Sequence, residues 1–280
     1  MSDGNVETND VVERERSTWA GKADFAGIYT APDPRPYYAA LRELDYRLPE
    51  HSVAAFRRVI AAMPEDHVVI ADVCCSYGVN ATILRHALSL SDVYQYFARP
   101  VADDALAVDR SFFIANRDSG APSMIGVDSS GPAIDYAVRT SLIDEGFAEN
   151  LEMDEPSPGL VAALEDCRLI TVSGGIGYIS PLTLTRLVEV MPRPPWIAVT
   201  VLRQVPYQPF IDAFAEYGLT TRRLGRPFRQ RRFADNAERD AAVARLEELG
   251  RDPNPDDGYY YAECFVSQPL EAEGDAPTRD

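Results

Sequence analysis

Apolar and polar positions along this chain fall into two alternating periods. VVIADV (68–73), SMIGVD (123–128), CRLITVSGG (167–175) and WIAVTVL (196–202) are short, nearly continuous apolar runs, the pattern of strands buried on both faces. Weaker strand signals lie at FAENLEM (147–153), LTTRRL (219–224) and the aromatic YYYAECFVS (259–267). Between them, helical spacing predicts helices over about 80–90, 131–142, 181–190, 207–217 and 235–249. Upstream, a short helix fits 37–44, and Pro49 opens another over about 50–62 with Val53, Phe56, Val59 and Ile60 on one stripe. Strands alternating with helices predict an α/β architecture: a Rossmann-like, seven-stranded, mostly parallel sheet with helices on both faces. The last two strands are expected to pair antiparallel at one edge.

Residues 91–120 break the alternation and read as a helical insertion after the first helix of the sheet domain. The expected organisation is a polar tail over 1–20, an N-terminal cap segment over 21–64, the sheet domain over 65–267 and a second polar tail over 268–280. The cap is unusual: IYTAPDPRPYYAALRELDYRLP (28–49) holds four prolines and four tyrosines, and Pro32, Pro34 and Pro36 force extended or turn geometry.

Charge narrows the choice of partner. The chain carries 44 acidic and 27 basic residues, net −17, which repels phosphate backbones and disfavours general nucleic-acid binding. One stretch opposes this trend: Arg222, Arg223, Arg226, Arg229, Arg231 and Arg232 fall together with no acid among them. They make either a solvated surface balanced by the acids that follow or a site for an anionic group. The four cysteines, Cys74, Cys75, Cys167 and Cys264, have no CxxC spacing, so neither a zinc site nor a disulfide framework is expected. No apolar run reaches the roughly 18 residues of a membrane span, and the N-terminus lacks a signal-peptide pattern. A cytoplasmic protein without a membrane partner is expected.

In doubly wound sheets, ligands bind past the carboxyl ends of the strands, and three loops there carry candidate chemistry. The first is Asp72-Val-Cys74-Cys75-Ser76-Tyr77-Gly78-Val-Asn80, in which Gly78 permits a tight turn and Cys74 and Ser76 are small enough to stand where backbone passes close to a ligand. The second is Asp128, ending a strand, where a carboxylate can accept both hydroxyls of a ribose. Asp128 or the neighbouring Ser129 could equally cap the helix that follows. The third is Ser173-Gly174-Gly175-Ile-Gly-Tyr178, which lets a ligand approach backbone or is simply a flexible connection.

Taken together these strings resemble the class I S-adenosylmethionine-dependent methyltransferases, in particular bacterial enzymes acting on small molecules. The resemblance covers about 65–267. Asp72, Cys74, Ser76 and Gly78 match the acid, the alternate small residues and the turn glycine after that family's first strand, and Asp128 matches the acid ending its second. The resemblance implies S-adenosylmethionine as cofactor. Its methionine part would lie near 74–78, its ribose at Asp128, and its adenine near Asn150, Leu151 and Glu152. Two departures stand out: two glycines are replaced, and the 91–120 insertion removes an easy transfer of acceptor-site residues.

Methyl transfer needs a base only when the acceptor must lose a proton. Tyr29, Tyr46 and His51 are the candidate catalytic groups, with Asp45 a further possible base; His67 and His86 are poorly placed. Tyr37, Tyr77, Gly175 and Tyr178 are candidates for an aromatic acceptor pocket, suited to a flat specialised metabolite such as an indole. The tyrosines could instead only pack the cap. The rival readings are an NAD-dependent oxidoreductase, which would carry a GxGxxG turn in place of CCSYGVN, and a non-catalytic cofactor-binding domain. A homodimer is compatible with everything above.

Overall fold

The computed structural model describes residues 28, 30–100, 104–253 and 257–270. Seven strands form one sheet: β1 (Val69–Val73), β2 (Ser123–Asp128), β3 (Glu145–Ala148), β4 (Cys167–Ser173), β5 (Trp196–Leu202), β6 (Leu219–Arg232) and β7 (Tyr259–Pro269). Their order is β3-β2-β1-β4-β5-β7-β6, parallel throughout except for β7, which runs antiparallel to both of its neighbours. The chain reverses its direction of travel between β1 and β4, so the carboxyl ends of those strands face a crevice.

Helices cover both faces. In chain order they are α1 (Arg35–Glu43), α2 (Leu48–Ile60), α3 (Val79–Leu84), α4 (Leu90–Phe97), α5 (Ala105–Ala115), α6 (Gly131–Arg139), α7 (Pro158–Ala163), α8 (Pro181–Val190), α9 (Gln208–Glu216) and α10 (Asn236–Glu248). Period-2 alternation divides the sheet residues between two cores. Ile70, Met124 and Leu169 face α1, α2, α4 and α6, whereas Ala71, Ile125 and Ile170 face α7, α8 and α9.

Several boundaries differ from the sequence pattern, each for a local reason. The helix expected over 80–90 stops at Leu84, because Arg85 turns inward to hold the Leu142 carbonyl at 2.6 Å and both oxygens of Asp144. The strand expected at 147–153 lies at Glu145–Ala148; beyond it Asn150 makes a turn, accepting from the Glu152 amide through its side chain and from Met153 and Asp154 through its carbonyl. α7 was not foreseen. The strand expected to end at residue 224 runs on to Arg232, with register shifts between Leu224 and Phe228 and between Arg229 and Arg232, so the arginine cluster lies within a strand. Gln268 and Pro269, expected in the tail, complete β7.

The insertion is built into the fold through one carboxylate. Asp109 on α5 is 1% exposed and accepts bonds from Arg35 (2.8 and 3.1 Å), Tyr96 (2.7 Å) and Tyr136 (2.9 Å). Cap, insertion and sheet domain therefore meet at a single buried charge.

Candidate functional site

The turn after β1 carries an unusual backbone. Cys74, Ser76 and Gly78 have φ of 56°, 50° and 73°, so three alternate residues are left-handed and two of them bear side chains. A left-handed L-residue costs about 1–2 kcal/mol, and strain of this kind persists where the surroundings over-determine it, often at ligand sites. Here Asp128 does so. Its Oδ2 accepts from the Ser76 amide and its Oδ1 from the Ser130 amide, both at 2.9 Å. Each carboxylate oxygen keeps a lone pair for a ligand. The cap of α6 is Ser130, whose side chain accepts from Ala133; Ser129 is exposed beside it.

Two polar atoms in this turn are buried without a hydrogen-bond partner: Ser76 Oγ, on a residue 8% exposed, and Asn80 Oδ1. Buried orphans are rare and call for a ligand or another reason. Asp72 is placed differently from the expectation of direct cofactor contact. It is fully buried at the floor of the turn, accepting from Thr171 at 2.6 Å and from the Asn80 amide at 3.0 Å, and burial pushes its carboxyl up to about 6 despite both bonds. The Cys74 thiol lies against Gly175, where an added Cβ would come within 2.8 Å of the sulfur; burial, then the nearby acids Asp128, Asp72 and Glu152, push its pKa up. Cys75 turns the other way, against Gly126, and its thiol is likewise raised by burial.

The tip of β4 meets the cap. Ser52 on α2 sits between Ser173 (2.9 Å) and Thr200 (2.8 Å), tying α2 to the ends of β4 and β5. Gly174 has φ 73°, and a Cβ built there would lie 2.8 Å from Leu48, 3.7 Å from the Tyr46 hydroxyl and 3.8 Å from Gln230 Nε2. Residues 44–47 are bonded to the end of β6 by main chain: the Arg47 amide donates to the Gln230 carbonyl and the Arg232 amide to that of Leu44. His51 packs on Phe228, ring centroids 4.8 Å apart, and partial burial lowers its pKa, which favours neutral imidazole at pH 7.

Tyr46 and Gln230 thus meet at the tip of β4, with the His51–Phe228 pair on the adjoining α2 and β6, whereas other expected residues lie elsewhere. Tyr77 is fully buried, its hydroxyl within 2.8 Å of the Ile28 carbonyl and 2.7 Å of that of Ala31; Tyr37 packs edge-on against it at 5.6 Å. Both rings belong to the core beneath the cap, not to a pocket wall. Glu152, expected near adenine, accepts from the Ser180 amide (2.8 Å) and the Thr183 hydroxyl (2.5 Å), an arrangement that caps α8. Leu151 is buried in the core and Asn150 is exposed. Tyr178 is 61% exposed at the rim. Tyr29 lies outside the described residues. Phe228 and Gln230 were missed because their stretch reads as an arginine-rich surface; the alternation of large non-arginine residues at 228 and 230 was the available signal.

The arginines divide. Arg231 is buried in a two-pronged pair with Glu238 (2.5 and 2.9 Å), while Arg223 pairs with Glu263 and Arg229 with Asp257. Among the described residues no helix is long and apolar enough to cross a membrane.

No protein-family model and no curated protein matches the chain. Solved structures overlap it weakly. A TehB-like S-adenosylmethionine-dependent methyltransferase from Corynebacterium glutamicum is 13% identical, covering 95% of this chain and all of that one, with a TM-score of 0.39. The plantazolicin methyltransferase BpumL, in complex with S-adenosylhomocysteine, is 11% identical over 94% of this chain and 98% of that one, TM-score 0.42. The magnesium protoporphyrin IX methyltransferase from Synechocystis, with S-adenosylmethionine bound, is 8% identical over 95% and 99%, TM-score 0.40. The strand order and the turn geometry belong to this chain itself.

Proposed function

We propose that this chain is a methyltransferase that uses S-adenosylmethionine on a small-molecule acceptor. The observation that carries the reading is the β1 turn: left-handed backbone at Cys74, Ser76 and Gly78, held by Asp128, with an unpartnered Ser76 hydroxyl inside. The residues fit the cofactor. Ser76 and the amides of the turn would take the methionine end, and the remaining lone pairs of Asp128 would accept the ribose hydroxyls. Asp72 acts from beneath, fixing Asn80 and Thr171 and so the height of the turn. Adenine would lie toward the 149–153 turn, with Glu152 holding that turn against α8.

Bound S-adenosylmethionine supplies a methyl group on a sulfonium, open to in-line attack by an electron-rich acceptor. What the protein contributes is alignment and exclusion of water. The cap and β6 do both: α2 is hydroxyl-bonded to the strand tips, and Tyr46 of the cap and Gln230 of β6 stand over Gly174. His51, kept neutral by burial, is the group suited to accept a proton where the acceptor must lose one. Phe228 gives the pocket an aromatic wall, in keeping with a flat acceptor such as an indole-type specialised metabolite.

Titrating the protein with S-adenosylmethionine and, separately, with NAD tests the reading. Saturable binding of the first and none of the second supports it. The reverse result would return the sheet to dinucleotide chemistry. Cofactor binding without methyl transfer to any member of an aromatic acceptor panel favours a non-catalytic role.

A further inference from the structure

Among the described residues at the tip of β4, Gln230 is a polar side chain whose burial the fold itself does not explain. It is 4% exposed, and its Oε1 is buried with no hydrogen-bond partner. Its backbone is accounted for, because its carbonyl accepts from the Arg47 amide at 2.6 Å. The side-chain head, by contrast, lies over Gly174, with Nε2 3.8 Å from the Cβ position there and the Tyr46 hydroxyl 3.7 Å from the same point. Leucine or methionine would fill this volume without an unpaired acceptor. A glutamine that buries an unpaired oxygen is therefore costly for the empty protein and useful only with something bound.

Leu48 and Tyr46 stand beside Gln230 at Gly174, flanked by the hydroxyl chain Ser173–Ser52–Thr200 and the half-buried His51 ring on Phe228. The cations nearest to Gln230 are engaged: Arg47 pairs with Asp45 at 3.0 Å, and Arg232 donates from its guanidinium to the Glu43 carbonyl. Of the neighbouring β6 arginines, Arg229 pairs with Asp257 and Arg231 with Glu238. An anionic acceptor would have to compete with these partners for a cation. A planar neutral molecule presenting an N–H or O–H would satisfy Gln230 Oε1 while its ring lies along Phe228.

We propose that Gln230 is the specificity-determining residue of the acceptor site, accepting a hydrogen bond from an N–H or O–H of a neutral, planar aromatic acceptor. The proposal rests on the methyltransferase reading, which fixes Gly174 as the place where acceptor meets cofactor. A pocket built to pair a donor rejects the analogue that lacks it far more strongly than a merely apolar pocket can.

The test uses the full chain saturated with S-adenosylhomocysteine, with indole and 1-methylindole as one probe pair and phenol and anisole as the other, read by calorimetry and ligand-observed NMR. Wild type should favour the donor-bearing member of at least one pair by about tenfold or more. Gln230→Leu should reduce that ratio to within about twofold and leave affinity for S-adenosylhomocysteine unchanged. Gln230→Leu should also melt at the same temperature as the ligand-free wild type or higher, because it removes an unpaired buried acceptor. A lower melting temperature would assign Gln230 to the fold and overturn the proposal. So would a ratio that survives the substitution, or a wild type that binds neither donor-bearing probe preferentially. Failure of the wild type to bind S-adenosylhomocysteine at all is a separate result, which removes the methyltransferase reading itself.

Discussion

Replacing Ser76 by glycine should make this protein more stable and a poorer binder of its cofactor. Ser76 sits at φ 50°, and its Oγ is buried without a partner. Glycine removes a left-handed penalty of about 1–2 kcal/mol and a desolvated hydroxyl worth about 1–3 kcal/mol. Against this stands the extra freedom of glycine in the unfolded chain, about 0.4–1 kcal/mol. The amide that donates to Asp128 at 2.9 Å is kept, so the turn stays anchored. The net gain should be about 1–4.5 kcal/mol. At roughly 2–4 °C per kcal/mol for a domain of this size, the melting temperature should rise by at least about 2 °C and at most about 18 °C. If the hydroxyl bonds the cofactor, affinity should fall by about 0.5–1.5 kcal/mol, or up to roughly tenfold. Scanning calorimetry gives the first quantity and isothermal titration with S-adenosylmethionine the second. Ser129→Gly, exposed and not left-handed, is the control and should gain no stability. A lower melting temperature for Ser76→Gly, or a higher one with unchanged affinity, would refute the link between strain and binding.

Three further substitutions probe the frame around that turn. Asp128→Ala removes two bonds to backbone amides and the ribose acceptor; S-adenosylmethionine affinity should fall by about 1.5–3 kcal/mol, and unchanged calorimetric affinity in a folded variant would move the ribose elsewhere. Asp109→Asn leaves Arg35 without its buried partner and should cost about 3–5 kcal/mol in chemical denaturation; a loss below 1 kcal/mol would mean that the insertion is held by apolar packing alone. Asp72 has a folded-state pKa raised to about 6, above its unfolded value, so its protonated form favours folding: its contribution is present at acid pH and is lost as pH rises through about 6. Asp72→Asn should therefore flatten the stability profile between about pH 4 and 7, measured by urea midpoints across that range, and an unaltered slope would contradict the assignment.

The sheet was legible in the sequence because its central strands are buried on both faces and read as continuous apolar runs; Ser123–Asp128 and Trp196–Leu202 match their patterns residue for residue. Pairings that depend on side chains far apart in sequence were not legible. Arg85 ends its helix only because Asp144 lies across the fold, and nothing local to 80–90 signals this. Asp128 and the alternate small residues of the turn were visible as motif positions, but their left-handed backbone was not. The cap illustrates a subtler limit. Tyr37 reads in the sequence as a pocket wall, yet Tyr37, Tyr38 and Leu41 are buried in the main core, so this part of the cap anchors the fold. Composition alone cannot separate an aromatic residue that lines a pocket from one that anchors a segment.

A crystal structure with S-adenosylhomocysteine tests the central claim most directly. The account predicts both ribose hydroxyls within hydrogen-bond distance of Asp128, the amino-acid end against Ser76, and the thioether sulfur facing Gly174 beneath Tyr46 and Gln230. Density for the nucleoside anywhere other than the crevice between the β1 turn and Asp128, or a refined φ at Ser76 outside the left-handed region, would contradict it.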